Sequence, residues 1–183
     1  KSIFCRTLPD TQTEDLLTVI MEIDSRIQKF NRECQEKHGL PVEAAFSAGL
    51  GCTVLKIDSK KTEIFQCGDC IAVLRKTDRT IGYTENPVKA ASTRDREIKA
   101  RLLKECHQDA YAARVKFTPI LMEQKNRDIN NPESPEGYPI INGFLRIEMC
   151  QHISFPTDEI RSLLICTDGF LPFEWFNDSK GMQ

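Results

Sequence analysis

Apolar residues recur near the start of the chain in steps of four and three. Leu16, Ile20, Ile23, Ile27 and Phe30 share one helical face at that spacing, which predicts a helix over about residues 11–38. Thr11-Gln12-Thr13-Glu14 fits a capping box, in which a hydroxyl and a carboxylate satisfy free N–H groups of the first turn. Lys37 and His38, then Gly39 and Pro41, form the expected stop.

The pattern then changes from helical to alternating. Small residues from Ala44 to Gly51 lead into Cys52-Thr53-Val54-Leu55-Lys56-Ile57, a β-branched run that reads as a strand. Asp58 to Lys61 is a polar turn, and Thr62 to Cys67 a second strand. Gly68-Asp69 interrupts it before Ile71 to Arg75 resumes, and a further turn leads to Thr80-Ile81-Gly82-Tyr83. Short strands with tight polar connections indicate an antiparallel meander.

Helical spacing returns over about residues 93–114 through Ile98, Leu102, Cys106 and Ala110, with a charged side that includes His107. Asn126 to Pro139, rich in asparagine and proline, reads as a loop. Ile140 to Ile147 reads as a hairpin or bulged strand, and Arg161 to Thr167 as a short buried strand ending at Asp168-Gly169. Strands and helices do not alternate, so an antiparallel sheet with helices packed outside it, an α+β class, is favoured over a doubly wound parallel sheet.

Composition narrows the function. The chain has 183 residues, 40% of them hydrophobic, enough for one domain with a core. A formal charge of −2 argues against a nucleic-acid partner, which would call for a basic excess. No apolar run approaches the roughly 18 residues that span a bilayer, and no signal peptide is seen. The expectation is a soluble, cytoplasmic protein without membrane or nucleic-acid partners.

The eight cysteines sit mostly among apolar neighbours, as reduced buried thiols do. Cys67-Gly68-Asp69-Cys70 is also a Cys-x-x-Cys pair, so a thiol oxidoreductase is an alternative. Such pairs gain reactivity from the start of a helix, whereas Ile71-Ala72-Val73-Leu74 continues as strand. A zinc site would want a second pair at suitable spacing. The three histidines, His38, His107 and His152, are scattered without a recognisable nucleophile beside them. Phe170, Phe173, Trp175 and Phe176 form an aromatic cluster that reads as core packing, with a recognition patch as the alternative.

Two acidic-glycine corners remain, at Gly68-Asp69 and at Asp168-Gly169. Either alone reads as turn chemistry. An aspartate at the end of a core strand is costly to bury unless paired or bound to metal, and two converging ones would suit Mg²⁺ or Mn²⁺.

In context these corners resemble a known family. Gly51-Cys52-Thr53-Val54-Leu55, then Ile64-Phe65-Gln66-Cys67-Gly68-Asp69-Cys70-Ile71-Ala72-Val73-Leu74, is similar to the Gly-Thr-Thr strand and Val-Gly-Asp-Ser-Arg element of metal-dependent protein phosphatases of the PP2C type. Leu163-Leu164-Ile165-Cys166-Thr167-Asp168-Gly169-Phe170 resembles that family's Leu-Leu-Ser-Asp-Gly element. Gly137 to Gly143 also resembles a segment of bacterial-type members, and the matches span most of residues 11–176.

The resemblance implies an antiparallel β-sandwich flanked by helices, residues 1–183 forming one domain with a flap-like insertion at about 84–139. It implies Asp168 as a ligand of a catalytic metal and Asp69 as a ligand of a further, weaker one, both Mg²⁺ or Mn²⁺. The implied reaction is hydrolysis of phosphoserine or phosphothreonine esters in a phosphoprotein substrate. The sequence departs from the family in places. Cys70-Ile71 stands where the family has Ser-Arg, no Asp-Gly-x-Gly-Gly element lies upstream of Thr11, and the closing Asp-Asn element is not found. The expectation is that flanking sequence supplies these elements. The alternative is a catalytically inactive relative acting as a binding or regulatory module.

Overall fold

The computed structural model describes residues 15–39 and 49–167. Helix α1 (Leu16–His38) begins at Asp15, whose carboxylate accepts the Thr18 N–H at 3.4 Å. The Thr11–Glu14 capping box lies outside the described residues. The predicted stop is observed: Gly39 takes φ 60° and its N–H bonds back to the Gln35 carbonyl.

The buried face of α1 differs from the predicted stripe. Leu16, Ile20 and Asp24 are buried and Ile27 packs beside them, while Ile23 and Phe30 are exposed. The face is turned toward Asp24 because that carboxylate has buried partners, described below.

Among the described residues, six strands form two three-stranded antiparallel sheets, giving an α+β fold. Strands β1 (Cys52–Ile57), β2 (Lys61–Cys67) and β5 (Gln151–Pro156) make one sheet, with β2 central. Strands β4 (Ile81–Tyr83), β3 (Ile71–Lys76) and β6 (Ile160–Cys166) make the other, with β3 central. Asp58 closes the β1–β2 turn by accepting the N–H groups of Lys60 and Lys61, both at 2.7 Å.

Alternation along β2 divides the core. Phe65 and Cys67 point to α1 and join Leu16, Ile20, Ile141 and Leu145. Ile64 points the other way and meets Ala72 and Leu74 of the second sheet, with Leu55, Ile153, Phe155 and Leu163 around them. The sheets therefore share an apolar layer, and α1 covers the outer face of the first.

Three other expectations are corrected. The single helix over 93–114 is two helices, α2 (Lys89–Glu105) and α3 (Ala110–Asp128). The chain breaks between them, with His107 and Gln108 at φ 50° and 68°, so His107 lies in the break and not in a helix. The strand or hairpin expected at 140–147 is irregular: Ile141 bridges to Leu50, Gly143 takes φ 93°, and a 3₁₀ turn follows at Ile147–Met149. Third, β6 is an edge strand among the described residues, with Leu164 and Ile165 exposed, not a buried one. Among the described residues no helix is long and apolar enough to cross a membrane.

Candidate functional site

Asp69 lies in the turn between β2 and β3. Gly68 takes φ 73° there, a conformation open to glycine at little cost. The chain entering β1 rests against this turn. A Cβ on Gly68 would stand 2.6 Å from the Gly51 Cα, and one on Gly51 would stand 2.7 Å from the Asp69 Oδ1. Side chains tie the corner down: the Cys70 thiol donates to the Gly51 carbonyl at 3.5 Å, and Thr53 Oγ1 donates to the Cys70 carbonyl at 2.8 Å.

Strand register gathers four chain segments at this end. Cys52 pairs with Cys67, and Ile71 with Cys166. The start of β1, the end of β2, the start of β3 and the end of β6 therefore stand together, and Thr167 follows directly. Asp168, Gly169 and the aromatic residues Phe170, Phe173, Trp175 and Phe176 lie outside the described residues.

Among the described residues no three His, Cys, Asp or Glu side chains are grouped closely enough to hold a metal. At this corner the described donor is the partly buried Asp69 carboxylate, a hard oxygen of the kind that Mg²⁺ and Mn²⁺ take. The Cys70 sulfur, 4.0 Å from Asp69 Oδ1, is a soft donor that those cations do not favour. The donor set thus fits one ligand of a hard cation and requires others from elsewhere in the chain.

The seven described cysteines are free thiols. Cys67 and Cys52 lie side by side on the α1 face of the first sheet. A hydrogen bond with Cys150, then burial, pushes the Cys67 thiol well above its ordinary range. Burial, reinforced by Cys70 and Cys150, pushes Cys52 up to about 12. These are inert neutral thiols, and β3 follows Cys70 as strand, so the arrangement does not activate the Cys67/Cys70 pair.

Sequence reasoning missed a buried ionic network behind the corner. Asp128, 0% exposed at the end of α3, accepts from Arg94 of α2 at 2.6 Å, from Arg127 at 2.8 Å and from Ser134 Oγ at 2.7 Å. Glu136 accepts from the same two arginines, at 3.0 and 3.1 Å. Gln124 joins in, its amide nitrogen 3.1 Å from Asp95 Oδ1 and its oxygen 3.2 Å from Arg94 Nε. Burial alone would raise the Asp128 pKa, but bonds from Arg127, Arg94 and Ser134 outweigh it and hold the carboxyl below the ordinary range. Tyr138 beside it is pushed up to about 12, by burial first and then by Asp95 and Asp128. The only sequence signal was the proline- and asparagine-rich composition of the loop this network anchors.

A second missed feature is a recess of about 490 Å³ between α1 and the 142–146 segment, lined by Asp24, Gln28, Asn130, Asn142 and Arg146 among others. Asp24 accepts the N–H groups of Gly143 and Leu145 at 2.7 and 3.2 Å. Gln28 Nε2 donates to the Gly143 carbonyl at 2.8 Å, and Asn31 Nδ2 to the Asn142 carbonyl at 3.1 Å. The Asn142 oxygen accepts from Asn130 and from the Phe144 N–H. Its nitrogen is buried with no hydrogen-bond partner among the described residues.

Compared with known proteins, the chain matches no family model, no curated protein and no solved structure.

Proposed function

We propose that the chain belongs to a metal-dependent protein serine/threonine phosphatase of the PP2C type, which hydrolyses phosphoserine and phosphothreonine esters of proteins. The observation that carries this reading is the pairing of Ile71 with Cys166. It brings the end of β6, and with it Thr167, to the end of the sheets where Gly68-Asp69 turns. Two antiparallel sheets with a shared apolar layer, one of them covered by α1, accord with the β-sandwich flanked by helices that the resemblance implies.

In this reading Asp168 and Asp69 hold Mg²⁺ or Mn²⁺. Such ions, when bound, lower the pKa of water and neutralise phosphate oxygens. That scale of help is needed, since phosphate monoester hydrolysis calls for rate enhancements up to about 10²¹. The protein's own contribution is positional. Gly51 and Gly68 let the β1 entry lie against the turn, and Thr53 fixes the Cys70 carbonyl beside Asp69.

The test is manganese-dependent hydrolysis of a phosphothreonine peptide by the full-length protein, with Asp168→Asn alongside. Loss of activity on substitution and on chelation is expected. Activity untouched by either would end the metal reading. A second reading, a catalytically inactive relative acting as a binding module, draws on Cys70-Ile71 standing where the family has Ser-Arg. No manganese-dependent hydrolysis by the full-length protein would favour it.

A further inference from the structure

The α2–α3 hairpin carries a groove of about 560 Å³ that none of the contacts above uses. Leu103, Ala113, Phe117 and Leu121 supply apolar lining, and Lys99 and Arg114 supply charge. The Lys99 ammonium stands 4.8 Å from the centre of the Phe117 ring, so the cation is held over the apolar floor.

A second feature continues this surface. Tyr111, Val115 and Met122 recur at four and seven residues, which places them in one stripe along α3. Tyr111 and Val115 are 78% and 56% exposed. The cluster that α3 shares with α2 uses Ala113 and Phe117 and leaves this stripe out. Apolar residues on more than one side of a helix go with burial on more than one side.

Charge adds a third, independent observation. Setting aside Arg94, Arg127, Asp95 and Asp128 of the buried network, helices α2 and α3 hold eight Lys or Arg against three Asp or Glu, in a chain whose formal charge is −2. The hairpin is therefore basic on a protein that is otherwise acidic. A neutral apolar partner leaves that charge unexplained, and a nucleic acid leaves the apolar floor unexplained.

We propose that this groove and stripe bind an amphipathic helix of a partner protein whose apolar face is flanked by acidic residues. Apolar side chains spaced i, i+4 and i+7 enter the groove and lie along Val115, in the helix-in-groove manner. Acidic residues at the margin meet Lys99 and Arg114, where charge complementarity sets register and excludes basic helices. The proposal stands apart from the phosphatase reading.

The test uses the full chain and a phage-displayed library of amphipathic helical peptides, with recovered sequences measured by fluorescence anisotropy. Recovered peptides are expected to pair an apolar stripe with Asp or Glu. Binding should weaken at least about tenfold in Val115→Asp and on replacing the peptide's acids by lysine. Arg114→Glu should reverse the preference between acidic and basic peptides. Both positions are exposed, and unchanged circular dichroism and unfolding midpoints would show that the variants fold. The proposal is overturned if no sequences converge, or if acidic and basic peptides bind alike. It is also overturned if light scattering shows a dimer that Val115→Asp dissolves, which would assign the surface to a second copy of this chain.

Discussion

The Asp24 carboxylate on α1 accepts the backbone N–H of Gly143 at 2.7 Å across a separation of 119 residues, and it also takes the Leu145 N–H. Asp24→Ala strands two buried donors at about 1–3 kcal/mol each. Asp24→Asn keeps an acceptor oxygen and is expected to lose clearly less. Urea midpoints of the two variants measure the difference, and an unchanged midpoint in Asp24→Ala would show that the pairing contributes nothing.

Gly143 adds a contrast with Gly39. Both have positive φ, but a Cβ at Gly143 would lie 2.6 Å from the Gln28 Cα, while one at Gly39 meets nothing within 4 Å. Gly39→Ala is expected to cost only the left-handed backbone strain, about 1–2 kcal/mol. Gly143→Ala must also move α1, so its loss of stability should be the larger. The same denaturation experiment ranks them.

Asp128 contributes to acid stability. Its folded pKa lies below the ordinary carboxylate value, so its contribution is fully present above about pH 4 and is lost as pH falls through the folded pKa. Asp128→Asn should flatten the slope of stability against pH in that acid range. At neutral pH it should cost about 1–3 kcal/mol, because Arg94 loses its shortest charged bond while Asp95 and Glu136 remain as partners. Denaturation midpoints between pH 3 and 7 test both statements.

Cys52 should resist alkylation in the folded protein. A pKa near 12 against an ordinary 9.0 lowers its thiolate fraction about a thousandfold at neutral pH, and the thiolate is the reacting form. Mass spectrometry after brief iodoacetamide treatment should find Cys52 and Cys67 unmodified until denaturant is added. Early labelling at either would contradict the burial described.

Asp69→Asn should be milder than Asp168→Asn. With one weaker ligand removed, the manganese needed for half-maximal phosphatase activity should rise on the order of tenfold. Substrate turnover at saturating manganese should be largely retained. Equal collapse of both variants would contradict the division of labour between the two carboxylates.

Local chemistry made much of this fold legible. Asp58 and Lys61 bracket a turn that side-chain hydrogen bonding specifies, and Gly39 ends α1 where a left-handed residue is needed. What stayed hidden depended on tertiary partners. Asp24 is a charged residue in an apolar face, explained only by N–H groups far along the chain. Ile98, Leu102, Cys106 and Ala110 keep one helical spacing straight across a break, which is made by His107 and Gln108 without a glycine. Helix α3 runs through Pro119, since packing of Ala113 and Phe117 on Leu102 outweighs one lost N–H. Strand β5 was hidden because Gln151–Pro156 carries two strongly apolar residues, Ile153 and Phe155, and ends in a proline. At the Asp69 corner, the residues and their turn could be read from the chain, but the approach of Gly51 could not.

Among the described residues, strand β6 bounds the second sheet with Leu164 and Ile165 turned to solvent. A sheet margin of that kind, greasy and short of lysine, is a template for adding foreign extended chain. In concentrated solution the molecule should therefore tend to stick margin to margin. A single lysine introduced at position 164 would be the simplest means of keeping it dispersed for crystallisation.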